Sequence, residues 1–94
     1  MGFFSDKLVA YVEGTTVEVR AVNRVLGGLI YTLFVGGKQV AQARNFFKIP
    51  TERRLEADVD VGGGRRRFVL TVKQRILRTD YSLSVDGQAV PLER

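Results

Sequence analysis

Apolar residues recur at every second position over most of this chain, the period of strands that bury one face. Over Thr15 to Val25, Val17, Val19, Ala21 and Val25 share one face while Glu18, Arg20 and Arg24 take the other. Leu8 to Glu13 alternates similarly and reads as a first strand, ended by Gly14. Gly27-Gly28 leads into Leu29 to Val35, and Gly36-Gly37 turns the chain back along Lys38 to Arg44. After a gap, Leu55, Ala57, Val59 and Val61 alternate with Glu56, Asp58 and Asp60. Past a Gly62-Gly63-Gly64 turn, Phe68, Leu70, Val72 and Ile76 line the inner face of a long strand, with Arg65, Arg67, Thr71, Lys73 and Arg75 outside. Asn45 to Arg53 breaks the pattern, because Pro50 has no amide to donate and biases Ile49 toward an extended backbone. That segment is read as the crossover between two sheets, and a short helix over Thr51 to Asp58 is the alternative to a strand there.

The pattern also repeats. Tyr31-Thr32-Leu33-Phe34-Val35-Gly36-Gly37-Lys38-Gln39-Val40 returns fifty positions later as Tyr81-Ser82-Leu83-Ser84-Val85-Asp86-Gly87-Gln88-Ala89-Val90. Gly-Gly and Asp-Gly both tolerate the positive φ that a tight two-residue hairpin turn demands, so this is one β-hairpin written twice. The preceding strand repeats too, Val17, Val19, Ala21 and Val25 matching Phe68, Leu70, Val72 and Ile76 at an offset of fifty-one. One residue gained or lost in the connecting turn reconciles the offsets, since a one-residue slip within a strand would turn every side chain to the wrong face. The unit is strand, strand, tight turn, strand, over about 15–44 and again over 66–92. With Leu8 to Glu13 and Leu55 to Val61 the strands number eight. The expectation is an all-β single domain over residues 1–94: an eight-stranded antiparallel β-sandwich, or a partly closed barrel, with an internal three-stranded duplication.

Composition narrows the chemistry. The 94 residues contain no Cys and no His, which removes disulfides, thiolate nucleophiles, imidazole bases and the usual zinc ligand sets. The carboxylates Asp6, Glu13, Glu18 and Asp80 show no spacing that pairs two of them for acid–base work. The protein is therefore expected not to be an enzyme and to need no cofactor or metal. Net charge is +5, from 15 basic and 10 acidic residues, a modest and interspersed excess. The N-terminal residues lack the basic start and long apolar core of a signal peptide, and no stretch has the length of a membrane-spanning helix. Gly2 does not sit in a myristoylation motif, because Asp6 stands where Ser or Thr is wanted. A cytoplasmic location away from membranes is expected.

Two surfaces stand out. Ile30 and Phe34 face outward on one hairpin, where the other copy has Asp80 and Ser84. An apolar outer patch marks a contact surface, and with Phe46 and Phe47 these residues form the expected interface with a protein partner or a second copy. Alternatively Phe3, Phe4 or the Phe46-Phe47 segment folds over the patch. The second surface is basic. Asp60 and Asp58 lie opposite Arg65 and Arg67, or Asp60 opposite Arg67 with a longer loop, which occupies those arginines and leaves Arg53, Arg54, Lys73, Arg75 and Arg78 for an anion. Nucleic acid is the second choice of partner, because interleaved exposed aromatics are missing from that face. Gly62-Gly63-Gly64 lacks the context and the Lys-Ser/Thr ending of a phosphate loop. Tyr31 and Tyr81 are placed inward, their hydroxyls satisfied at the sheet margin. A carrier role for an apolar ligand between the sheets would require a cavity.

The closing segment Tyr81-Ser82-Leu83-Ser84-Val85-Asp86-Gly87-Gln88-Ala89-Val90-Pro91, with the earlier Val35-Gly36-Gly37-Lys38-Gln39-Val40 turn at a comparable distance upstream, resembles the hairpins of the Fas apoptotic inhibitory molecule family. The likeness spans about residues 15 to 92 and is carried by generic hairpin residues. It implies a compact antiparallel β-sandwich that binds proteins and is not an enzyme. Family proteins known from animals hold two such domains, whereas this chain has one and is arginine-rich and free of cysteine. No functional residue carries over from the resemblance.

Overall fold

The computed structural model describes residues 5–24, 28–45, 51–75 and 78–94. They form eight strands: β1 (Ser5–Val12), β2 (Thr15–Arg24), β3 (Gly28–Val35), β4 (Lys38–Asn45), β5 (Thr51–Val61), β6 (Gly64–Gln74), β7 (Thr79–Val85) and β8 (Gln88–Val90). Each sheet is a four-stranded antiparallel meander, β1-β2-β3-β4 in the N-terminal sheet and β5-β6-β7-β8 in the C-terminal one. Neither closes into a barrel. Three sequence boundaries are corrected. The strand expected from Leu55 begins earlier, at Thr51, so Arg53 belongs to β5 and not to the crossover, and Asn45 at the crossover's other end belongs to β4. The β5–β6 turn is Gly62-Gly63 alone, and Gly64 pairs with Val61 as the first residue of β6. Val25, Phe46, Phe47 and Ile76 fall outside the described residues, as do Phe3 and Phe4.

All four tight turns hold two residues at positive φ: Glu13-Gly14, Gly36-Gly37, Gly62-Gly63 and Asp86-Gly87. Such turns match the twist of the strands they join, which explains why glycine closes each one. Pairing is equivalent in the two sheets. Val17, Val19 and Ala21 lie opposite Val35, Leu33 and Tyr31. Phe68, Leu70 and Val72 lie opposite Val85, Leu83 and Tyr81 in the same way. The match extends to a strand the sequence pattern left out: Leu8 and Ala10 oppose Val19 and Val17 as Leu55 and Ala57 oppose Leu70 and Phe68. The β5–β6 hairpin is longer by two residues on each arm, an even number, so its faces keep their sense. A bulge at Leu33/Phe34 is specific to the N-terminal sheet. The extra residue there brings Val40, Ala41 and Ala43 to pack on the core.

One hydrophobic cluster draws on both sheets, with Val17, Val19, Leu33, Phe68 and Leu70 fully buried. Tyr31 and Tyr81, from different sheets, meet edge to face at 6.5 Å. Beyond β8 the tail crosses back to β1, where Val9 and Glu93 exchange two backbone bonds of 2.7 and 2.9 Å. On the other side Arg53 Nε donates to the Arg44 carbonyl, tying β5 to β4.

Candidate functional site

Of the predicted interface residues, Ile30 and Phe34 are described and lie on the outer face of β3. Both are half-buried. Phe34 owes its cover to its own sheet, for the Arg20 guanidinium lies 4.9 Å over its ring and is held there by the neighbouring Glu18 carboxylate. Between the two, Thr32 is buried and accepts a bond from Gln42. Ile30 sits opposite Val22, which is 40% exposed. At the β1 edge of the same face Tyr11 is 72% exposed, an aromatic absent from the predicted set although the alternation of β1 turns it outward. A shallow cleft of about 740 Å³ opens beside Phe34, lined by Glu18, Arg20, Thr16 and the glycines of both turns.

The outer face of the C-terminal sheet is ionic. Register places Asp58 opposite Arg67 and Asp60 opposite Arg65, the first of the two predicted pairings. Arg67 binds both Glu56 and Asp58, Arg65 binds Asp60 at 3.4 Å, and Arg54 binds Glu56 at 2.9 Å. The Glu56 carboxylate, with Asp58 beside it, raises the Arg67 pKa and fixes its charge.

At the tight-turn end, Arg66 enters between the sheets and joins Glu13 at 2.6 Å to Asp86 at 3.2 Å. The Arg67 amide donates to Asp86 at 2.8 Å, and this bond, seconded by the Arg66 guanidinium, holds the Asp86 carboxyl below the usual carboxylate range. Glu13 closes over Gly62, leaving no room there for a Cβ.

The opposite end carries the polar margin of the core. Tyr31 donates to Gln74, and Tyr81 donates to Asp6, each at 2.9 Å. Burial, and then the Asp6 carboxylate, push the Tyr81 phenol well above its ordinary pKa. Arg94 completes this cluster with a 2.9 Å bond to Asp6.

Comparison of the chain with protein-family models, curated proteins and solved structures gives no match in any of the three. Function is therefore argued from the surfaces themselves. The five predicted anion ligands do share one end of the molecule, although not one face. Arg54, Lys73 and Arg75 point outward from β5 and β6, whereas Arg53 takes the inward parity of Leu55 at the sheet edge. Arg75 and Arg78 flank the β6–β7 connection, whose ends are joined by an amide-to-carbonyl bond of 2.8 Å. Each places its Nε on one oxygen of Asp80, at 2.7 and 3.4 Å. Arg75, helped by Arg78 and Lys73, lowers the Asp80 pKa.

Proposed function

We propose that this chain is a non-catalytic protein-interaction module, a β-sandwich built from a duplicated four-stranded half, that docks through the outer face of its N-terminal sheet. The observation that carries the reading is the contrast between the outer faces: Tyr11, Val22, Ile30 and Phe34 on one, a lattice of ion pairs on the other. Aromatic residues and arginine are the side chains enriched where protein interfaces are anchored, and Tyr11, Phe34 and Arg20 supply them here. A second copy is the occupant proposed, because a two-fold dimer would lay the apolar residues of this face on the same residues of its partner while the Arg20–Glu18 pair stays satisfied within each chain. The sandwich reading is supported by the shared core cluster and the contact between Tyr31 and Tyr81. Duplication is supported by the matched registers, and the resemblance to the Fas apoptotic inhibitory molecule family is of a piece with both.

Sedimentation velocity tests the docking face. The wild-type protein is expected to form a dimer at high concentration, and Ile30→Ser with Phe34→Ser to return it to a monomer with unchanged circular dichroism. A wild-type protein that stays monomeric, or a double variant that assembles unchanged, contradicts the proposal.

A further inference from the structure

The rows Leu8-Val19-Leu33-Ala41 and Leu55-Leu70-Leu83-Val90 cut the two sheets at equivalent heights, between the tight turns and the longer connections. Charge divides unevenly about them. Arg24 at the end of β2 aside, the described residues supply nine cations on the connection side: Lys7, Arg20 and Arg44 from the N-terminal sheet, the five predicted anion ligands, and Arg94, whose guanidinium is held at Asp6. They face three carboxylates, Asp6, Glu52 and Asp80. On the turn side four cations meet seven carboxylates, Glu93 being counted there with its partner Val9. The pairs Arg20–Glu18 and Arg54–Glu56 span the row and cancel themselves, and the sign of each half is the same without them. The excess of cations that looks diffuse in sequence is gathered, among these residues, at the connection end of the two sheets.

We propose that this connection-side pole binds the phosphate backbone of duplex nucleic acid without regard to sequence, chiefly through the C-terminal sheet's cations, which lie off the interaction face. The built part of the site is the pair Arg75 and Arg78. Both spend Nε on the shared Asp80 carboxylate, so that among the described residues their terminal nitrogens are left to grip phosphate oxygens, and their side chains are 54% and 71% exposed. Asp80 is the positioning residue, holding two guanidinium forks side by side while Lys73 adds charge next to it. The pole draws its cations from β1, β2, β4, β5, β6, the β6–β7 connection and the C-terminal tail, a spread that suits the repeated phosphates of a nucleic-acid backbone better than one small anion. A duplex is favoured over a single strand, because no exposed aromatic lies on this half among the described residues to stack unpaired bases. Tyr11 and Phe34 are both on the turn side.

The test is fluorescence anisotropy with a labelled duplex of about twenty base pairs and random sequence, titrated across a salt series. About four phosphate contacts give a slope of log affinity on log salt near −3.6, or roughly 150-fold weaker binding at 200 mM than at 50 mM. Arg75→Gln with Arg78→Gln is expected to halve the slope and weaken binding at least ~10-fold at 100 mM salt. Lys38→Gln with Arg65→Gln removes the same charge from the turn side and is expected to change affinity less than about two-fold. The wild-type salt series needs no variant and stands as a test on its own. Absence of binding at 50 mM salt, equal losses in the two double variants, tighter binding of the single strand, or displacement by polyglutamate at equal charge would each overturn the proposal.

Discussion

The two sheets run the same meander in the same register and differ in what they place on either side of it. Inside, the N-terminal sheet offers Val17, Val19 and Ala21 where the C-terminal sheet offers Phe68, Leu70 and Val72. Outside, the order reverses: the N-terminal sheet shows Tyr11, Val22, Ile30 and Phe34, and the C-terminal sheet shows arginines locked to carboxylates. Equivalent backbones thus carry different side chains at matched positions: the second strand of the C-terminal sheet brings the larger inward residues, and the outer face of the N-terminal sheet brings the apolar ones. Backbone pairing constrains which way a side chain points, and leaves open what that side chain is for.

The largest effect that separates the halves comes from the core. Phe68→Ala removes a fully buried ring and is expected to cost about 3–5 kcal/mol in urea unfolding. Val17→Ala at the equivalent position removes less volume and is expected to cost less, and equal losses would break the comparison between these matched core positions. The turns come next. Gly62 and Gly14 both sit at positive φ, so alanine strains either by about 1–2 kcal/mol. Only at Gly62 does the new Cβ also displace Glu13 and its bond to Arg66, so Gly62→Ala is expected to lower the melting temperature further than Gly14→Ala.

Tyr81→Phe deletes the bond to Asp6 and is expected to cost about 1 kcal/mol at neutral pH. Its pH dependence is the sharper readout. The folded-state pKa is raised, so the contribution of Tyr81 is fully present below the unfolded value of about 10 and is lost as pH rises beyond it. The wild-type protein is therefore expected to lose stability in alkaline urea titrations more steeply than Tyr81→Phe. The smallest effect makes two turns alike: Asp86→Gly copies Gly36, the matching residue of the other hairpin. Asp86 has a lowered folded-state pKa, so its stabilisation is present above the unfolded value near 3.9 and disappears as pH falls through the folded one. The variant is expected to show a flatter acid limb between about pH 5 and 2 than the wild-type protein.

Strand number, the tight turns and the inward sets were legible because a period of two and glycine at positive φ are local properties. The first strand's share in the repeat was not. Leu8 and Ala10 match Leu55 and Ala57 only through their partners on β2 and β6, since the longer β5–β6 hairpin changes their sequence offset. Gly64 and the start of β5 at Thr51 were misplaced, because a third glycine and Pro50 are local signals of a break whereas the ends of a strand are set by pairing, a long-range property. At the surface, the pairing of Arg65 and Arg67 with carboxylates followed from register and was readable. The stacking of Arg20 on Phe34 was not, because a long side chain's direction is set by its neighbours across strands. The same is true of the charged pole, whose members lie far apart in sequence and meet only when both sheets are drawn to one height.

The contrast between outer faces is tested most directly by methyl resonances followed on dilution from high protein concentration. Val22 and Ile30 report on the outer face of the N-terminal sheet, and Val69, opposite Glu56 and Ser84, on that of the C-terminal sheet. The account predicts that the Val22 and Ile30 methyl signals shift with concentration while Val69 stays fixed. Shifts confined to Val69, or no shift at any of the three, would contradict it.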